Sequence, residues 1–130
     1  MKLEFLSDIS NGGQFREIVS DNLVRLYDFT QKQTEVLTDL IYQNLIVERR
    51  VLDLSTVEFI QQVNCRLVLQ VTLHDNGILK TSDPDLFTCN LTAQSYRKLI
   101  EIMKAAADYN WLCERSDDDI DFLYSVGGWW

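Results

Sequence analysis

The chain has 130 residues, 46% hydrophobic and 25% charged, enough for one domain with its own core and typical of a soluble globular protein. Its net charge of −8 argues against direct binding to nucleic acid, where phosphates call for clustered Lys and Arg, and against an anionic membrane surface. No apolar run approaches the roughly 18 to 20 residues that span a bilayer, and the first residues turn acidic too early for a signal peptide, so a cytoplasmic protein is expected.

Lys2–Leu6 reads as a first strand, and residues 7–13 as a loop in which Asn11-Gly12-Gly13 accommodates positive φ. Residues 15–19 fit either a strand or one helical turn. Residues 23–29 read as a strand, with Leu23, Tyr27 and Phe29 on one parity and only Arg25 interrupting them. Thr30 stands three residues before Gln33, the spacing at which each side chain satisfies the other's unpaired amide at a helix start. Val36, Leu37, Leu40, Ile41 and Leu45 then follow at helical spacing and carry this helix to about residue 46, with Glu35 and Asp39 on its far side.

Residues 51–54 form a short strand. Residues 65–74 alternate more clearly, with Cys65, Leu67, Leu69, Val71 and Leu73 pointing one way, as in a half-buried antiparallel strand. Asp75-Asn76-Gly77 is a turn signal before a return strand at 78–80, and Asp83-Pro84-Asp85 is a second turn before a strand at 86–90. Thr92 caps a second helix over about 93–107, with Leu91 and Tyr96 placed to staple its start. Tyr96, Leu99, Ile100, Met103 and Ala107 form its inner stripe, and Arg97, Lys98, Glu101 and Lys104 face water.

Residues 108–130 hold six of the 14 aromatic residues, all three tryptophans, six acids and one cation, Arg115. Ser116 followed by Asp117-Asp118-Asp119 would suit a helix start. Alternating rings at Tyr109 and Trp111, and at Phe122 and Tyr124, instead suit two strands, 109–113 and 120–124, joined by an acidic turn, and this hairpin is the expectation. The whole predicts a single α+β domain spanning 1–130. A mostly antiparallel sheet of about five to seven strands would carry two amphipathic helices on one face. With one proline, no repeat and no linker, nothing divides the chain.

Catalytic and cofactor motifs do not emerge. Cys65, Cys89 and Cys113 are odd in number and widely spaced, which suits neither a zinc site nor a disulfide framework. His74 is the only histidine, and Cys65 lies at an odd offset from it, on the opposite side of the expected strand. Asp117, Asp119 and Asp121 have the spacing that opens a calcium loop, but Phe122 and Gly128 stand where that loop needs glycine and glutamate. Asn11-Gly12-Gly13 lacks the lysine of a phosphate loop. No cofactor or metal is therefore expected.

The leading expectation is a non-catalytic protein-interaction module with an acidic, aromatic C-terminal surface, of the kind that serves as inhibitor or regulator of a basic partner protein. Its partner-binding residues would be Trp111, Asp117, Asp118, Asp119, Asp121, Trp129 and Trp130. Complementary charge would speed encounter, and the rings would anchor the complex. The alternatives are self-association as a homodimer, and a small enzyme or ligand-binding domain using a pocket near His74. Trp129 and Trp130 follow two glycines, so their rings either fold back onto the domain or stand free.

Overall fold

Thr30 and Thr92 start the two helices. The Thr30 hydroxyl accepts from the Gln33 amide at 3.2 Å, and the Gln33 side-chain oxygen accepts from the Thr30 amide at 3.1 Å, so the reciprocal cap forms as the spacing predicts. It opens α1 (Gln31–Ile41), which continues as a π-helical turn at Tyr42–Val47. Thr92 accepts from the Ser95 amide and opens α2 (Ala93–Lys104). A second anchor holds α2: the Asp75 carboxylate accepts from the Thr92 amide at 2.8 Å and from the Ser95 hydroxyl at 2.8 Å.

The computed structural model describes residues 1–12, 20–105, 108–113 and 116–130. The expected element at 15–19, together with Gly13, Ala107 and Arg115, lies outside the described residues. The strands are β1 (Lys2–Leu6), β2 (Leu23–Tyr27), β3 (Leu52–Asp53), β4 (Gln61–Gln62), β5 (Arg66–Val71), β6 (Gly77–Lys80), β7 (Leu86–Leu91), β8 (Tyr109–Cys113) and β9 (Asp121–Ser125). Among the described residues, two helices and nine strands in two mixed sheets make a single small α+β fold.

The larger sheet has the order β4-β1-β2-β9-β8 and the smaller β3-β5-β7-β6. Antiparallel pairings are four of the seven; β1–β4, β2–β9 and β5–β7 are parallel. Expecting one sheet missed this division because two of the strands have only two residues, and both long parallel pairings join segments distant in sequence. The 75–77 turn is likewise not a hairpin. It leads from β5 to β6, but β7 lies between them and pairs with both. Strand β5 ends at Val71, so Leu73, expected to face inward, is instead 89% exposed.

One continuous core joins the sheets and the helices. It contains Leu3, Val24 and Phe122 from the larger sheet, Leu67 and Cys89 from the smaller, and Leu37, Tyr96 and Leu99 from the helices. Two buried hydroxyls tie the layers. Thr34 of α1 meets the Tyr124 hydroxyl of β9 at 2.5 Å, and Phe29 stacks on the Tyr124 ring at 4.1 Å. Tyr96 of α2 donates to the Cys89 carbonyl of β7 at 2.5 Å and accepts from the Gln70 amide of β5 at 3.0 Å. That one phenol therefore joins the helix to both strands of the parallel pair. Burial pushes the Tyr96 phenol well above its usual range and the Tyr124 phenol up to about 12, so both stay protonated.

Tyr96→Phe removes the hydroxyl and leaves a buried carbonyl and amide without it; urea unfolding is expected to show a loss of about 1–3 kcal/mol. The Thr92 amide, then the Ser95 hydroxyl, hold the Asp75 carboxyl below its ordinary value of 3.8. A depressed carboxylate contributes stability that is present above its unfolded pKa and lost as pH falls through its folded one. Asp75→Asn is therefore expected to unfold more easily than the unaltered chain at pH 7. That difference should shrink in acid, as unfolding curves at pH 7 and pH 3 would show.

Candidate functional site

The register of the larger sheet aligns one row of outward-facing residues across four strands: Glu4 of β1, Arg25 of β2, Leu123 of β9 and Trp111 of β8. The neighbouring residues of β9, Phe122 and Tyr124, face the core. Arg25 is the organising member of this row. Its Nε and Nη2 both donate to Glu4 Oε1, the former at 2.9 Å, and its guanidinium lies 4.1 Å from the Tyr27 ring centre. Its remaining nitrogen, Nη1, donates to the Gly128 carbonyl at 2.7 Å. A planar guanidinium can serve these partners together because its donors point in fixed, divergent directions.

The Gly128 bond shows that the chain end folds back. Beyond β9 the backbone turns, with the Gly128 amide donating to the Ser125 carbonyl at 3.2 Å and the Ser125 hydroxyl donating to the Trp129 carbonyl at 2.7 Å. Both glycines are required by close approach. A Cβ on Gly127 would lie 1.2 Å from the Trp129 ring, and one on Gly128, at φ +84°, would lie 2.6 Å from Arg25 Nη1. Trp130 then meets Trp111 edge to face, with ring centres 6.4 Å apart at 67°. Leu123, between Arg25 and Trp111 in the row, is fully buried. Trp129 is left 55% exposed, and Tyr109 of β8 42% exposed.

The hairpin expected at 109–124 is present, with a bulge between Trp111 and Cys113. Its acids have structural partners. Asp117 accepts from the Asn76 side-chain amide at 2.8 Å, its own amide donates to the Asn76 carbonyl at 3.1 Å, and Asp118 accepts from the Lys80 amide at 2.7 Å. The acidic turn is thereby fastened to β6 of the other sheet, so closely that a Cβ on Gly77 would lie 2.6 Å from Ser116 Cβ. Asp119 takes the left-handed conformation at φ +55°. Asp121 donates its amide to the Asn22 carbonyl at 3.0 Å. Asp117, Asp118 and Asp119 keep exposed surfaces.

The structure thus brings Trp111 and Trp130 together, with Trp129 alongside. Asp117, Asp118 and Asp119 sit at the other end of β9 from the tail turn, about 13 Å of strand away. Glu4, Arg25 and Tyr109 complete this face and were not among the expected residues. The one available signal was Arg25 itself, the lone charge interrupting an otherwise apolar parity.

His74 is exposed and lines none of three surface clefts. The largest, about 480 Å³, includes Phe5, Asn22, Lys80, Asp83 and Phe87. The second, about 350 Å³, lies at the ends of the helices and includes Phe29, Thr34, Met103, Asn110 and Tyr124. The thiols of Cys65 and Cys89 are buried; burial pushes Cys65 up to about 12 and raises Cys89 further, which keeps both in the unreactive thiol form. Among the described residues no group of three or more His, Cys, Asp or Glu side chains is placed to hold a metal, and no helix is long and apolar enough to cross a membrane. No protein-family model and no curated protein sequence matches this chain.

Gly128→Ala puts a methyl group against the guanidinium and a side chain in left-handed backbone, a strain of about 1–2 kcal/mol. It is expected to release the tail from Arg25 and to shift tryptophan emission to longer wavelength as Trp130 leaves Trp111. Fluorescence spectra with urea unfolding would check both effects.

Proposed function

We propose that the chain is a cytoplasmic, non-catalytic protein-interaction module that engages a basic partner protein. The outer face of its larger sheet is the binding surface. The observation that carries this reading is the half-exposed Trp129, held in a fixed place by a tail whose other tryptophan rests edge to face on Trp111. An indole that stays exposed while its backbone is fixed by the Ser125 hydroxyl and by Arg25 has already lost much of its conformational freedom. Ordering it in a complex then costs little, which is the setting in which tryptophan serves as an anchor.

The charge distribution supports a basic partner. Residues 108–130 carry six acids against one cation, and Asp117, Asp118 and Asp119 are exposed at one end of the hairpin. They would steer a cationic surface towards the aromatic face at low ionic strength. The rival reading, chemistry at His74, gains nothing from the geometry: the imidazole stands at the surface outside the clefts, and two of the three thiols are buried.

The test is capture on the immobilised full chain. Retained proteins should be basic, should be released as salt shortens the reach of charge below about 10 Å, and should be lost from Trp129→Ala. Replacing an interface anchor of this kind is expected to weaken binding roughly 30-fold or more. Retention unchanged by Trp129→Ala would remove the aromatic face from the interaction. Asp119→Asn, at an acid whose side chain neither fastens β6 nor lies in a strand, should slow association without loss of stability.

A further inference from the structure

Strand β8 is the last strand of the larger sheet, and its hydrogen-bond phase can be read from two contacts at the ends of β9. The Asp121 amide turns to β2, donating to the Asn22 carbonyl at 3.0 Å, and the Val126 amide turns to β8, donating to the Asp108 carbonyl at 3.3 Å, so residues 122, 124 and 126 are those that direct hydrogen bonds to β8 as pairs. Antiparallel pairing alternates, so Asn110 and Tyr124 form the next such pair, and the backbone groups of Tyr109 and Trp111 point away from β9 towards the free edge. The other edges are handled differently. Strands β3 and β4 have two residues each, and β6 has its outward Lys80 amide taken by Asp118. Among the described residues β8 is the one edge of full strand length that the fold leaves open, the state that natural sheets usually avoid.

A groove of about 310 Å³ runs beside that edge. Trp111, Leu112 and Cys113 of β8 form one wall, and Lys98, Leu99 and Ile102 of α2 are on the other. The geometry points to strand addition: the edge of β8 takes an extended segment of a basic partner, with an apolar centre and cationic ends, whose alternate side chains enter the groove and lie beside Trp111 and Trp130. This inference rests on the interaction reading above and names how the partner is held. Backbone pairing would supply register, and the groove would select side chains.

Charge decides between occupants. Asp108 is exposed at the start of β8, and the exposed acids 117–119 lie in the turn beyond its end. A segment with lysine or arginine at both ends meets acid at both ends, while in the groove between them Lys98 and Asp75 offset each other and the remaining lining is mostly apolar, which suits an uncharged centre. A second copy would pair its own β8 antiparallel about a twofold axis. That arrangement would set Asp108 of each copy against the turn acids of the other, between two chains of net charge −8. Like-charge contact of this kind opposes self-pairing.

The test uses the full chain and the acetylated, amidated peptide Lys-Lys-Val-Thr-Val-Thr-Val-Lys-Lys, followed by NMR and amide hydrogen exchange. The peptide should slow exchange at the Tyr109 and Trp111 amides about tenfold or more and leave Asn110, already bonded to β9, unchanged. Tyr109→Pro, which removes an outward amide only, should abolish binding, whereas Tyr109→Ala, which keeps that amide, should retain it. Amide protection on the unaltered chain decides the matter even where Tyr109→Pro fails to fold. Binding without protection of Tyr109 and Trp111 would overturn strand addition while leaving the aromatic-face interaction standing. No binding, or equal binding of the same peptide with glutamate ends, would overturn the proposed occupant. So would concentration-dependent protection of these amides without peptide, which would identify a second copy instead.

Discussion

The constraint on which the structure most depends is the position of β9. The strand nearest the end of the chain lies inside the larger sheet, parallel to β2 on one side and antiparallel to β8 on the other. Phe122, Leu123 and Tyr124 are all buried, the outer residue as fully as the two that face the core. The sheet cannot close until the final segment is in place, because without β9 the β1–β2 hairpin and β8 have no common neighbour. This explains why the aromatic content is concentrated so late: those rings supply a central strand and its cover.

The same placement determines what the surface offers. Residues 126–130 fold back over the outer face of this central strand by turning sharply on two glycines. Arg25 receives the turn. Its guanidinium is balanced by Glu4, supported on Tyr27 and used as a donor to Gly128, so a charge within an apolar row becomes the clasp for the chain end. That clasp sets Trp130 partly covered against Trp111 and leaves Trp129 exposed. Two successive residues in an extended segment point to opposite sides.

The acids have two separate physical roles. Asp75 caps α2, and Asp117 and Asp118 fasten the β8–β9 turn to β6, joining the sheets through side chain to backbone bonds rather than through apolar packing alone. Those bonds also close the β6 edge. What remains of their charge faces water, where it shapes the field around the aromatic face and the open β8 edge. One group of residues thus serves stability and, in the proposed function, the approach of a partner, so the acid-rich composition by itself could not distinguish the two.

Much of the local structure was legible in the sequence. The caps at Thr30 and Thr92, the helical stripes, the first strand and the final hairpin were all readable, because a cap or an alternation is a contact between residues close in the chain. The division into two sheets, the parallel β2–β9 and β5–β7 pairings and the end of β5 before Leu73 were not, since each depends on which distant strand arrives as neighbour. For the candidate site, the sequence by itself determined the inventory: the tryptophans, the turn acids and the two glycines. Only the tertiary structure decided that Arg25 holds Gly128, that Trp130 rests on Trp111 while Trp129 stays exposed, and that the acids are partly spent on β6. The physical reason is that these contacts join residues 38 to 103 positions apart, or depend on the path of a turn, and no local pattern of residue types encodes either.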